Sequence, residues 1–264
     1  MEHFVHVSTH IEKTAGTSLQ EFYTRFYGRK NVYIYSSDTD SLICADRLIM
    51  RARVNVFVDR FRLLSKQLGL TSLAHTFVLG HLSGHKNNYA LDKLPNHCSI
   101  IHGHFVADKF DGVVMNPLRT VVLREPLERM LSHYKYWKEA KGITNHRISV
   151  PFDDNLSFVE FSSQECLRNF QSSAFGSLEL RDFDLVGVTQ HLSNFVDKFI
   201  KMYPKKMKDF KEEVKRLNTS PQSSADYDRF GIDEHFIKRF KIENEIDYSN
   251  YYHALEMNGI NVQI

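Results

Sequence analysis

Three groups of residues in this chain carry side chains suited to chemistry on an anion. The first is Lys13-Thr14-Ala15-Gly16-Thr17-Ser18. It offers a full positive charge, hydroxyl donors, and small residues that let the backbone approach a ligand closely. If a helix opens at its end, the first N–H groups have no partner within the helix and face outward, backed by about half a positive charge of helix dipole. The second is Arg124 with Ser132: a guanidinium holds two phosphate oxygens at once and a hydroxyl holds a third. The third is His102-Gly103-His104. Histidine titrates near neutral pH, which makes it the natural general base. Each group also has an ordinary reading. The loop reads equally as a capped turn with a surface lysine, Arg124 as an ion-pair partner of Glu125 or Glu128, and the histidines as core or surface residues.

The flanking patterns say what must position these groups. Residues 4–10 alternate and are rich in β-formers, which predicts a strand. Leu19, Phe22, Tyr23 and Phe26 then form one apolar stripe at helical spacing. Thr17 with Gln20, or Ser18 with Glu21, predicts a capping box at the start of that helix. Residues 99–102 predict a strand ending at Gly103, so both histidines, two apart, would face one cleft. Residues 119–123 predict a buried strand, followed by a helix with Pro126 in its first turn. On that helix Ser132 is expected to share a face with Glu128 and Arg129, away from the apolar stripe of Leu127, Met130, Leu131 and Tyr134.

Further helices are predicted over 48–68, 156–161, 164–175, 190–202 and 244–257, short strands over 76–79 and 184–188, and loops over 141–154 and 218–228. Strands alternating with helices imply a mostly parallel sheet, whose ligands sit at the carboxyl ends of the strands. All three candidate groups fall at such ends.

The bulk properties fit one domain spanning residues 1–264. With 42% apolar residues, 20 Phe and 12 Tyr, the chain has the material for a core. A formal net charge of +2 argues against a general nucleic-acid binder. Cys44, Cys98 and Cys166 are odd in number and lack CxxC spacing, which points to a reducing compartment rather than a disulfide framework. No apolar run is long enough to span a bilayer, and the N-terminal residues lack signal-peptide layout. The expectation is a cytoplasmic protein, or else the excised catalytic domain of a lumenal one. The oligomeric state is not legible.

Residues 9–19, Thr-His-Ile-Glu-Lys-Thr-Ala-Gly-Thr-Ser-Leu, resemble the HIPKTAGTSL signature of carbohydrate sulfotransferases that use 3′-phosphoadenosine 5′-phosphosulfate (PAPS), with Glu12 in place of Pro. Residues 123–134 resemble that family's LRDPxxRxxSxY element, with Glu125 in place of Asp. Weaker similarities continue along most of the chain. Asn169, Gln171 and Gly176 resemble an NxQxxxxxG stretch, residues 183–190 an FDxVGxTE stretch, Asn218 and Ser220 a late NxS element, and Asp247-Tyr248 with Tyr251-Tyr252 a closing DxxLY. The His-Gly-His triplet resembles the hexuronic-acid 2-O-sulfotransferases.

The resemblance implies a P-loop-like three-layer α/β fold with PAPS as cosubstrate and an oligo- or polysaccharide as acceptor. Residues 13–18 would bind the 5′-phosphosulfate, with Lys13 on the bridging oxygen, while Arg124 and Ser132 grip the 3′-phosphate. His104 would be the base and His102 a helper or acceptor contact.

Other readings remain open. A kinase or other phosphoryl transferase would need a Walker-type lysine after the glycines and a carboxylate for Mg²⁺, yet Lys13 precedes Gly16 and no such carboxylate stands out. A non-catalytic nucleotide- or glycan-binding module is the third possibility. His81 and His85 are spaced for a metal on a helix but lack a third ligand, and no metal is expected. Lys205, Lys206, Lys208 and Lys211, interleaved with acids, read as a solvated helix face.

Overall fold

A computed structural model describes residues 4–37, 39–46, 89–91, 94–141, 150–204 and 224–261. The predicted elements at 48–68 and 76–79, His81 and His85, the lysine run from Lys205 and the Asn218–Ser220 element lie outside them.

Among the described residues six strands form one sheet in the order β3-β2-β4-β1-β5-β6: β1 His6–Thr9, β2 Val32–Ser36, β3 Ser41–Cys44, β4 Ile100–Gly103, β5 Leu118–Leu123 and β6 Leu185–Val188. All pairings are parallel except the β2–β3 hairpin at the edge. Central β1 pairs Thr9 with Gly103 on one side and with Val121 on the other. The predicted α/β class with a mostly parallel sheet is therefore what the chain adopts.

Seven helices accompany the sheet among the described residues: α1 Gly16–Tyr27, α2 Pro126–Glu139, α3 Phe158–Ser162, α4 Leu192–Lys201, α5 Ser224–Phe230, α6 Glu234–Glu243 and α7 Glu245–Met257. Successive strand residues point to opposite faces. Val122 accordingly joins Leu19, Phe22, Phe26, Phe195 and Phe199 of α1 and α4. Its neighbours Val121 and Leu123 join Leu127, Met130, Trp137, Tyr248 and Tyr251 of α2 and α7. Helices thus cover both faces. Each fully buried side chain of this size contributes about 1.5–3 kcal/mol relative to exposure. Among the described residues no helix is long and apolar enough to cross a membrane.

Four local expectations need correction. The helix expected over 164–175 is instead a chain of short 3-10 turns, Glu165–Leu167 and Ser172–Ala174, interrupted at Asn169, which takes a positive φ of 46°. Its backbone is held by side chains from elsewhere in the chain, which override local propensity. Part of the loop expected over 218–228 is helical, since α5 begins at Ser224. No capping box opens α1: its N-cap is Ala15, in the left-handed region, without a side-chain cap. Arg129 does not share the exposed face of Ser132 but is 1% exposed. At about 100° per residue it lies next to His133 rather than over Ser132, with Nη1 3.4 Å from His133 Nδ1 and the guanidinium 4.7 Å from the Phe170 ring centroid.

Candidate active site

After β1 the chain turns into α1 on one face of the sheet, and after the neighbouring β5 it turns into α2 on the other. The crevice between these two carboxyl ends is therefore a topological switch point, the usual ligand position in an open α/β sheet. The Lys13 loop and Arg124 line it, and His104 follows β4 on the far side of β1.

The β1–α1 loop is tightly wound. Thr14 folds back on Ile11, donating to its carbonyl from Oγ1 at 2.8 Å and from the backbone at 3.3 Å. Lys13 and Ala15 both take φ of 69°, left-handed conformations that cost on the order of 1–3 kcal/mol each for non-glycine residues and cluster at ligand sites. Turns of this kind gather backbone N–H groups into an anion-binding concavity. Gly16 follows because nothing larger fits: a Cβ there would lie 1.7 Å from the His10 ring. Thr17 is exposed and Ser18 buried in the first helical turn.

One stripe of α2 closes the other wall. Arg124 Nε lies 3.4 Å from Glu128 Oε2, and its Nη1 donates to the Lys13 carbonyl at 3.4 Å. Lys13 Nζ sits 4.5 Å from the centroid of the Tyr136 ring. Ser132, partly buried, is midway between Glu128 and Tyr136 at i±4, on the same helix face. The points that Arg124 and Lys13 touch on α2 are thus eight residues apart, about 12 Å along the helix, with a hydroxyl between them. The Lys13 ammonium pKa is lowered, first by burial and then by the Arg124 charge. An anion lying between them would relieve that repulsion.

The Arg124 turn is held by groups far away in sequence. Gln171, 1% exposed, accepts from the Arg124 N–H and donates to the Arg124 carbonyl, both at 2.9 Å, extending the ladder beyond β5. Asp247, 2% exposed, accepts from the Gln171 and Ser172 N–H groups at 3.1 and 2.8 Å and from Ser172 Oγ at 2.6 Å. Asn169 Oδ1 accepts from the Ile246 and Asp247 N–H groups at 3.1 and 3.2 Å, joining the same turn to the start of α7. Glu125 caps α2 by accepting from the Glu128 N–H at 2.6 Å, and Tyr248 donates to its other oxygen at 2.6 Å. Desolvation raises the Glu125 pKa, partly countered by the Tyr248 hydrogen bond.

Three histidines gather at the ends of β1 and β4. The His10 ring stacks on His104 at 4.1 Å and on His102 at 5.3 Å between centroids. His104 Nδ1 lies 2.9 Å from the His10 carbonyl oxygen. Only a protonated Nδ1 can bond that carbonyl, so the neutral ring keeps its lone pair on Nε2. The His104 side chain is 23% exposed. His102 differs: it is 1% exposed, bonded through Nδ1 to Ser8 Oγ at 3.0 Å, and its pKa is lowered to about 4, mainly by burial. The expectation that both imidazoles reach one cleft therefore needs correction. His102 packs behind His10, because Gly103 lies flush against the Tyr35 backbone and the chain turns after it.

Lys13, Arg124 and Ser132 thus border the β1–β5 crevice, while His104 stands across β1 from it, stacked on His10. Thr14 spends its hydroxyl on the turn, and His102 supports from beneath. Sequence reasoning overlooked His10 and the buried Glu12 as structural members of the site. The signal for His10 was its place at the end of a β-run, three residues before the lysine. No protein-family model matches the chain, and no curated protein matches it either.

Proposed function

We propose that this protein is a sulfotransferase that moves the sulfuryl group of PAPS to a hydroxyl of an oligo- or polysaccharide, on a P-loop-like scaffold. The observation that carries the reading is the order of groups across three adjacent strand ends: His104 after β4, the Lys13 loop after β1, Arg124 after β5. In this reading residues 13–18 cradle the phosphosulfate, and Arg124 with Ser132 holds the 3′-phosphate. His104 Nε2 takes the proton of the attacking hydroxyl. The acceptor oxygen bonds to sulfur as the bond from sulfur to the 5′-phosphate oxygen breaks, and adenosine 3′,5′-bisphosphate leaves with that electron pair. Lys13 meets the charge developing on the leaving oxygen. Such transfers depend mainly on positioning and fixed cations.

The cations supply charge without a P-loop lysine placed after the glycine, which favours this donor over ATP. Single-turnover incubation with radiolabelled PAPS and a panel of desulfated uronic-acid polysaccharides should give labelled polysaccharide without added Mg²⁺. Transfer of phosphate from ATP, dependent on Mg²⁺, would replace the reading with a phosphoryl transferase.

A further inference from the structure

We infer that Glu12 is a positioning residue for His104, its carboxylate pairing with the imidazole to orient the ring and stabilise the imidazolium formed during transfer. The inference rests on the reading of His104 as base. Glu12 is 6% exposed, and neither carboxylate oxygen has a hydrogen-bond partner among the described residues. The ring nitrogen beside it is His104 Nδ1, 3.4 Å from Oε1. A buried carboxylate left without a partner is costly, and a cation formed next to it removes that cost.

In the neutral ring the Nδ1–H serves the His10 carbonyl at 2.9 Å. When Nε2 gains the acceptor's proton, positive charge spreads to Nδ1, directly opposite Glu12. The other titratable neighbours do not help. His10 stacks on the ring, His102 lies behind it, and Lys13 acts electrostatically on His10; Tyr35, packed on Gly103, turns its hydroxyl to Asp40 at 2.7 Å. His10 and His102 both have pKa values lowered chiefly by burial and so offer the ring no counter-charge, whereas Glu12 is the acid beside it. The signature that this loop resembles has an uncharged Pro at the position, so the acid is a feature of this chain.

The test compares wild type with E12Q and E12D in the full chain. The His104 imidazole is followed by NMR titration, and transfer from radiolabelled PAPS is measured across pH. E12Q is expected to lower the His104 midpoint, to move the acid limb of kcat/KM with it, and to reduce kcat about 10- to 100-fold, a part of the range for a positioned base. The KM for PAPS and the Tm increase given by adenosine 3′,5′-bisphosphate stay as in wild type, and E12D recovers part of each loss. An unchanged midpoint and kcat in E12Q overturn the pairing while leaving the sulfotransferase reading intact. A lowered midpoint in a protein that transfers nothing keeps the pairing and removes the reading. Should E12Q not fold, E12D decides alone: a carboxylate withdrawn by one methylene must lower the midpoint, and an unchanged midpoint overturns the inference.

Discussion

At the scale of single residues, the proposed function separates groups that would act on a ligand from groups that hold them. His104→Asn removes the Nε2 lone pair while keeping a donor toward the His10 carbonyl. It should reduce kcat about 100- to 10,000-fold with little change in the KM for PAPS, as measured by steady-state transfer. Lys13→Met removes the charge proposed to meet the leaving oxygen and should cost about 100- to 1,000-fold in kcat, the usual loss for one group of this kind. Two buried histidines, His102 in the cluster and His133 on α2, also set a pH dependence of stability. His102, with its pKa lowered to about 4, and His133, lowered to about 3, chiefly by burial, are neutral in the fold. The unfolded chain protonates them near 6.5 and so binds more protons below that pH. Their stability contribution is complete above about 6.5 and is lost as pH falls toward 4 and then 3, by on the order of 3–5 kcal/mol per buried ring. Urea midpoints measured from pH 7 to pH 4 should fall steadily. Lys13, Arg124 and His104 were legible from residue type and position after β-runs. Glu12 was legible only as an oddity, because its burial beside His104 depends on β1 pairing with β4.

At the scale of elements, the Arg124 turn depends on α7 and on the irregular segment before β6. Asp247→Ala strips the acceptor from two backbone N–H groups and one hydroxyl. Unsatisfied buried donors cost about 1–3 kcal/mol each. The variant should therefore lose at least about 2 kcal/mol in urea unfolding and bind adenosine 3′,5′-bisphosphate less tightly, because Asp247 holds Gln171 and Gln171 holds the Arg124 turn. Asp247 and Gln171 were visible in the sequence as weak similarities, but their purpose was not, since a segment read as helix over 164–175 would have turned Gln171 elsewhere. The positive φ at Asn169 and the extended backbone at Arg168, with ψ of 137°, are imposed by partners some 75 residues away. The β2–β3 hairpin was missed for a different reason. Val32-Tyr33-Ile34-Tyr35 and Leu42-Ile43 are β-prone runs around a polar turn, a readable signal, but neither run leads into a residue suited to chemistry on an anion.

At the scale of the whole molecule, two cationic groups at neighbouring strand ends should select a ligand charged at both ends. Adenosine 3′,5′-bisphosphate is expected to raise the Tm more than AMP or ATP at equal concentration, and Arg124→Gln to erase that preference while leaving the response to AMP. At 100 times its Kd the favoured ligand adds about 2.7 kcal/mol, readable by differential scanning fluorimetry. The central strand carries a further consequence. β1 holds Ser8 against His102 and His6 against Thr120, partners 94 and 114 positions later in the chain. At about 5–20 residues per second on the ribosome, β1 waits roughly 6–20 s for its neighbours to be synthesised. Until then its two edges are open to other extended chains. Expression at lower temperature or with added holdase chaperone should therefore favour the folded protein over inclusion bodies.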